Sequence, residues 1–474
     1  MAKEMDNKRK WLAFFILCLG TLMIVLDTTI VNVALPSIRN DLGFTESSLA
    51  WVVNAYLLTF GGFLLLSGRL GDIFGRRKLF MSGIALFTLA SLCCALSNTQ
   101  DLLIAARAVQ GFGGAIVSAV GLSLIMSIFT QPGERVRAMG VYGFIAAGGG
   151  SIGVLLGGFL TAALNWHWIF LVNLPIGIMV FILCLMLLPE SRVSAEAKHL
   201  DVQGAIAITG SLMIAVYAIV NGNQIGWTSL QTAGLLALSV ALLALFIRIE
   251  SKAHAPLVPL RLFRLRNLAT ANAIGVLWAA SLFAWFFISA LYMQLVLGYS
   301  ALQIGLSFLP ANIIMAIFSI SISAKLVMRF GIRTPLVAGL VLAAIGLALF
   351  SRAPVNGNFV TDILPSMILI GIGAGMAFNP VLLAAMSDVV QSESGLASGV
   401  VNTSFMMGGA LGLSVLASIA VAQTNSLLAV GAAQIVALNG GYHFAFIAGA
   451  IFSAIAAALG AKYLGTSMET PHRV

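Results

Sequence analysis

The sequence predicts an all-α polytopic membrane protein with fourteen spans: two six-helix bundles and two further helices inserted between them. Three observations carry that expectation. Of 474 residues, 60% are hydrophobic and only 9% are charged, whereas a soluble domain carries about 25% charged residues. Apolar stretches of bilayer-crossing length recur from one end of the chain to the other. Those stretches are continuous rather than alternating, which argues against a β-barrel.

The first span, 11–35, is long enough to cross a bilayer, roughly 37 Å of helix at 1.5 Å per residue. It is too long for a signal-peptide core and lacks a clear small-residue cleavage site, so it is read as retained, ending before Pro36. Spans 48–68 and 79–97 follow, joined by a basic, glycine-containing loop, and 102–129, 137–161 and 169–188 complete a first bundle over residues 1–188. The middle segment, 189–267, holds a polar linker (189–200), spans 202–222 and 231–249, and a second linker from Glu250 to Asn267. Pro256, Pro259, Arg261, Arg264 and Arg266 suit that second linker to the cytoplasmic lipid surface. Spans 269–294, 301–324, 335–351, 362–387, 397–422 and 442–464 form the second bundle, residues 268–474, with Pro380 kinking the twelfth span.

An even number of spans puts both termini on one side. With that side cytoplasmic, 22 of the 25 Lys and Arg residues fall inside, Arg39 and Arg352 fall outside, and Arg107 lies within a span. This is a strong positive-inside pattern, and it accounts for the net charge of +9 without a nucleic-acid partner. Cys18, Cys93, Cys94 and Cys184 all sit in apolar spans and read as small buried hydrophobes; the five histidines are scattered, so no metal site or cofactor is expected. His443 begins the last span and is the one histidine placed to titrate there.

A weak repeat links the halves. Residues 68–78, following the second span, share Leu, Phe, Gly and Arg positions with residues 324–334, following the tenth, at an offset of 256. Parallel duplication of a six-helix unit gives this spacing, and such repeats place a substrate site between the halves near the midplane.

Asp27 stands out within this frame. Inside the first apolar run, its carboxylate costs on the order of 2.5–3.5 kcal/mol on insertion scales, and such groups face a cavity or a partner. The other acids are expected near helix ends, in loops or in the tails. Counting along the helices puts Asp27 roughly 12 Å and Arg107 roughly 8 Å from the outer helix ends, close enough in depth to meet.

At these residues the chain resembles the fourteen-helix drug/proton antiporter branch of the major facilitator superfamily. The resemblance rests on Leu26–Pro36 in the first span, the Gly68–Lys78 loop, Arg107–Gly114, Gly149–Gly158, and Trp166–Gly177 at the entry to the sixth span. The fifth-span motif departs in one place: Val154 stands where the family usually has proline. The resemblance implies alternating access by two rocking halves. It implies a proton switch in which protonation of Asp27 frees Arg107; a static ion pair is the alternative. It implies a cytoplasmic gate at Gly68, Arg69, Gly71, Asp72, Gly75, Arg76 and Arg77, where Gly71 and Gly75 permit a tight turn, against a role in orientation alone. Gly149, Gly153, Gly157 and Gly158 suit close helix packing.

The substrate cavity is expected among Asn32, Asn54, Tyr56, Gln110, Trp278, Trp285, Tyr292, Gln294, Asn312, Asn379, Asn402 and Phe405, each of which has interhelical or lipid-facing packing as its alternative. Aromatics with scattered amides suit bulky amphipathic ligands. With one deep carboxylate beside an arginine, monocationic, neutral and weakly acidic compounds all remain open. The expected function is proton-driven export of amphipathic small molecules by a monomer in a bacterial cytoplasmic membrane. Transport of one specific metabolite, or a transport-dead sensor or scaffold, are the alternatives. No nucleotide-binding loop or catalytic constellation points to ATP drive or to an enzyme.

Overall fold

A computed structural model describes residues 7–129, 131–188, 201–253, 256–389 and 394–465. The described residues form an all-helical membrane protein. Its helices are α1 (Asn7–Leu42), α2 (Glu46–Phe74), α3 (Arg76–Ala95), α4 (Gln100–Ile128), α5 (Pro132–Ala163) and α6 (Trp168–Leu187), then α7 (Val202–Ile225) and α8 (Leu230–Lys252). The second part holds α9 (Arg266–Val296), α10 (Ala301–Ile317, continuing through a π-turn into Ser323–Phe330), α11 (Arg333–Phe350), α12 (Phe359–Met386), α13 (Ser394–Ala429) and α14 (Gln434–Tyr463).

Twelve of these are long and apolar enough to cross a membrane. The other two, α5 and α10, contribute shorter apolar stretches among the described residues, Ile152–Ala163 and Ala301–Ile317. The 189–200 linker lies outside the described residues.

Three sequence expectations are corrected. The first helix does not stop before Pro36 but runs to Leu42 with the proline inside it. Gly68–Phe74 is not loop but the last turns of α2, and only Gly75, at φ 91°, breaks the chain before α3. The second linker begins later than expected, because α8 runs to Lys252 and takes Glu250 into its buried face. One smaller point concerns the cysteines: Cys93 is exposed, and only the other three are buried.

Within the first six helices, α4 packs on α2 and α3, and α1 on α5 and α6. In the last six, α9 packs on α13 and α14, and α11 on α12 and α14. Two seams join the groups, α2 on α13 and α5 on α10.

Glycines of α5 set how closely it packs on α1 and on α10. A Cβ on Gly149 would lie 2.9 Å from Leu22 Cδ1, one on Gly153 3.1 Å from Leu26 O, and one on Gly157 2.7 Å from Ile30 O. These three glycines, four residues apart, therefore make one groove along α5 that receives the stretch of α1 carrying Asp27. Gly158 faces the other way: its Cβ would lie 2.9 Å from Ala301 O on α10. At Val154, where the related motif has proline, α5 runs on unbroken.

The helix pair α7–α8 is held by reciprocal bonds, Ser211 Oγ to Ser239 O at 2.7 Å and Ser239 Oγ to Ser211 O at 2.9 Å. The pair lies over the α2–α13 seam. Thr209 packs against Gly62 of α2, and Asn223 donates to Ser418 O of α13 at 2.8 Å.

Candidate functional site

Two helices, α4 and α6, bring polar side chains to Asp27 on α1. The carboxylate is fully buried on α1 and its partner Arg107 is 1% exposed on α4. Arg107 Nη1 donates to Asp27 Oδ2 at 2.5 Å and to Gln110 Oε1 at 2.7 Å, while its Nε donates to Val52 O at 2.9 Å. The other carboxylate oxygen, Oδ1, accepts from Gln110 Nε2 at 2.7 Å and Asn173 Nδ2 at 2.9 Å. Ser91 Oγ on α3 accepts from the same Gln110 amide at 2.8 Å and donates to Phe87 O. The guanidinium carbon stands 4.4 Å above the Tyr56 ring and 5.8 Å from that of Phe170.

The local reasons are plain. Arg107 and Gln110 are three residues apart, so they rise from one face of α4. Gly111 lets α4 approach α2, since a Cβ there would lie 2.4 Å from Tyr56 O. Every partner is itself buried, so the pair is desolvated and its hydrogen bonds must replace water. Gln110 is the pivot: its carbonyl holds the cation and its amide holds the anion.

Tyr56 and Gln110, expected in the substrate cavity, sit beside the ion pair. Ser91, Asn173 and Phe170 join the same site and were not singled out from the sequence, although Phe170 and Asn173 lie within the Trp166–Gly177 motif. The Tyr56 hydroxyl is buried with no hydrogen-bond partner, so the ring face, not the hydroxyl, serves Arg107. Tyr56→Phe is accordingly expected to change thermal stability by less than about 0.5 kcal/mol, and Tyr56→Leu to lose about 2 kcal/mol or more through the desolvated cation–π contact. Thermal unfolding of the purified variants checks this.

The remaining cavity candidates are scattered. Asn32 Nδ2 is spent on Thr28 O within its own helix, at 3.1 Å. Asn54 crosses the α2–α13 seam to donate to Ser414 Oγ at 2.7 Å. Trp278 and Phe405 have ring centroids 5.3 Å apart, with the half-exposed Phe378 joining them. Trp285 packs on Phe308 with its indole nitrogen buried and unpartnered, and Asn312 Nδ2 is also buried without a partner. Tyr292 donates to Pro354 O at 2.8 Å, Gln294 Oε1 is buried without a partner, Asn379 donates to Ser319 O at 2.6 Å, and Asn402 is exposed.

At the end of α2, Arg69 donates to Pro256 O of the linker after α8. Arg76 donates to Ser123 O at 3.4 Å and Arg77 to Leu185 O at 2.8 Å, tying the start of α3 to α4 and α6. Gly71 lies against Val120, and a Cβ on Gly68 would meet Ala119 Cβ at 4.0 Å. The Asp72 side chain lies outside the described residues.

The family model of the Major Facilitator Superfamily matches residues 17–413. The chain belongs to the major facilitator superfamily. It is 38% identical over 425 residues to the puromycin resistance protein pur8 of Streptomyces alboniger, covering 89% of this chain and 84% of that protein. It is 37% identical over 410 residues to the cephamycin export protein CmcT of Amycolatopsis lactamdurans, covering 86% and 84%. Among solved structures, an auto-inhibited peptide transporter of the POT family superposes with a TM-score of 0.68 over 97% of this chain and 99% of that one, at 15% identity, a likeness of fold alone. This superfamily member thus has relatives whose names speak of antibiotic resistance and export.

Proposed function

We propose that this chain is a proton-coupled exporter of amphipathic small molecules in a bacterial cytoplasmic membrane, with both termini in the cytoplasm. In this reading fourteen helices cross, including α5 and α10, and the protein works as a monomer. The bundle of residues 1–188 rocks against that of residues 268–474, with residues 189–267 between them. The relatives named for puromycin resistance and cephamycin export support drug-like cargo.

The observation that carries the coupling is the enclosure of Asp27. Its two oxygens are held by Arg107, Gln110 and Asn173, none of them an acid. When Asp27 takes a proton, Arg107 loses its counter-charge but keeps Val52 O, Gln110 Oε1 and the Tyr56 face. The cation is then poised to move or to attract another anion, which is how one proton changes the packing of α1 against α4. Residues 68–77 act as the cytoplasmic latch, and the aromatic and amide residues of α9, α12 and α13 face the cargo.

The static-pair reading has its own support in the partners that both Asp27 oxygens already have. Dye-loaded proteoliposomes separate the two. Efflux that accelerates severalfold when a proton gradient is imposed supports coupling; an identical rate with and without the gradient removes it.

A further inference from the structure

Among the described residues a second acid is buried, outside the Asp27 hydrogen-bond network. Glu250 is 3% exposed on α8, beside the segment that leads toward α9. Its Oε2 accepts from Val258 N at 3.3 Å, and its Oε1 is buried with no hydrogen-bond partner. An ionised carboxylate so enclosed needs several donors to replace water, and proton uptake discharges that cost.

Two charged groups act on it from neighbouring helices, Asp201 at the start of α7 and Arg69 at the end of α2. Asp201 spends Oδ1 on Gly204 N at 2.7 Å, and its Oδ2 is buried and unpartnered too. On its own helix Arg248 and Lys252 are exposed. The side chain of Asp72 and all of His254 lie outside the described residues.

The linker between these groups is held at three successive residues. Arg69 takes the carbonyl of Pro256, Glu250 takes the amide of Val258, and between them Leu257 is buried against Leu66 and Ala205. A basic residue of the loop signature and an acid of the inserted pair therefore grip the same stretch of chain, and that stretch leads into α9 and the second bundle.

We propose that Glu250 is a second protonation site, which tethers residues 256–258 to the end of α8, beside the end of α2, when ionised and releases them when it takes a proton from the cytoplasm. The neutral acid offers Val258 a weaker acceptor, so acidification loosens the grip on the linker. The inserted pair thereby sets, through cytoplasmic pH, how freely α2 and α9 move relative to one another. Its consequence for transport rests on the gate reading of residues 68–77; the tether does not.

Hydrogen–deuterium exchange on the full-length protein in nanodiscs tests the tether. After correction for intrinsic exchange, amides in residues 256–260 of the wild type are expected to exchange about tenfold faster at about pH 5 than at about pH 8, the scale of losing one charge-assisted hydrogen bond. Glu250→Gln should show the fast rate at both pH values, and Glu250→Asp should retain the pH dependence. A wild-type rate that does not respond to pH overturns the proposal without any variant, as does a Glu250→Gln profile that follows the wild type. Efflux is then read at a fixed proton gradient while both bulk pH values are moved together. An altered tether with an unaltered efflux profile overturns the gate reading and not the protonation site.

Discussion

Asp27→Asn is expected to reduce concentrative efflux to the level of empty vesicles and to lower thermal stability at the same time. The substituted amide keeps the shape of the carboxylate, so Gln110 or Asn173 still has an oxygen to donate to. Arg107 fares worse. Its Nη1, now 2.5 Å from Asp27 Oδ2, faces either a neutral oxygen or another donor, and the guanidinium is left buried without a counter-charge. Breaking one side of a buried pair costs about 3–5 kcal/mol. Removing both charges together with Asp27→Asn/Arg107→Gln should recover most of that stability, because no ion then remains unpaired. Transport should not recover, because nothing at the site titrates. Measuring unfolding midpoints and dye efflux on the same preparations separates the structural loss from the functional one. A double variant that regains proton-dependent efflux would show that the pair is scaffolding.

Gly158→Leu is expected to be the most damaging single change outside that network. A Cβ at this position would stand 2.9 Å from Ala301 O, 3.2 Å from Leu302 Cα and 3.4 Å from Gly305 Cα, all backbone atoms that cannot rotate away. Opposite it, a Cβ on Gly305 would lie 2.9 Å from Val154 O. The α5–α10 seam is therefore closed by backbone on backbone, and a leucine wedge forces the two bundles apart there. Overpacking of this kind costs typically about 1–3 kcal/mol, and its effect on rocking is larger, since the closed arrangement is no longer reachable. Efflux should fall below roughly a tenth of wild type, with Gly158→Ala between the two. Gly150→Ala, in the same helix but with Thr29 Cγ2 3.8 Å from its Cβ, supplies the control and should transport normally. Equal rates for Gly158→Leu and Gly150→Ala would remove the seam from the mechanism.

The membrane class, the helix order and the ion pair were legible because each rests on a strong contrast. A carboxylate and a guanidinium inside apolar runs have few places to go, and depth along two helices is simple arithmetic. Ser91 and Asn173 were not legible. Small polar residues are common in membrane helices, where a backbone carbonyl satisfies them, as Phe87 O does for Ser91. Only the packing of α3 and α6 on their neighbours reveals that Asn173 reaches Asp27 and that Ser91 bonds the Gln110 amide beside it. Tyr56 and Gln110 carried a visible polar signal, but not the direction in which they point.

Turns and linkers misled for related reasons. Gly68 and Gly71 permit a turn without requiring one, and helix α2 continues through both; only Gly75, with positive φ, takes the conformation that glycine favours. Glu250 looked like the first residue of a polar linker because Ser251 and Lys252 follow it. One more helical turn buries it instead, where it meets Val258. Asn54 presents the same limit from another side, since its bond to Ser414 joins residues 360 apart in the chain.

In the proposed cycle cargo and protons move in opposite directions through one protein, with Asp27 carrying the proton. Its most direct test is to count protons: a pH-sensitive dye is enclosed in proteoliposomes that hold no pre-formed gradient, and cargo is added on one side. Cargo entry with simultaneous proton exit, absent in Asp27→Asn, is the predicted result. Cargo entry at the wild-type rate with no change in internal pH would contradict the account.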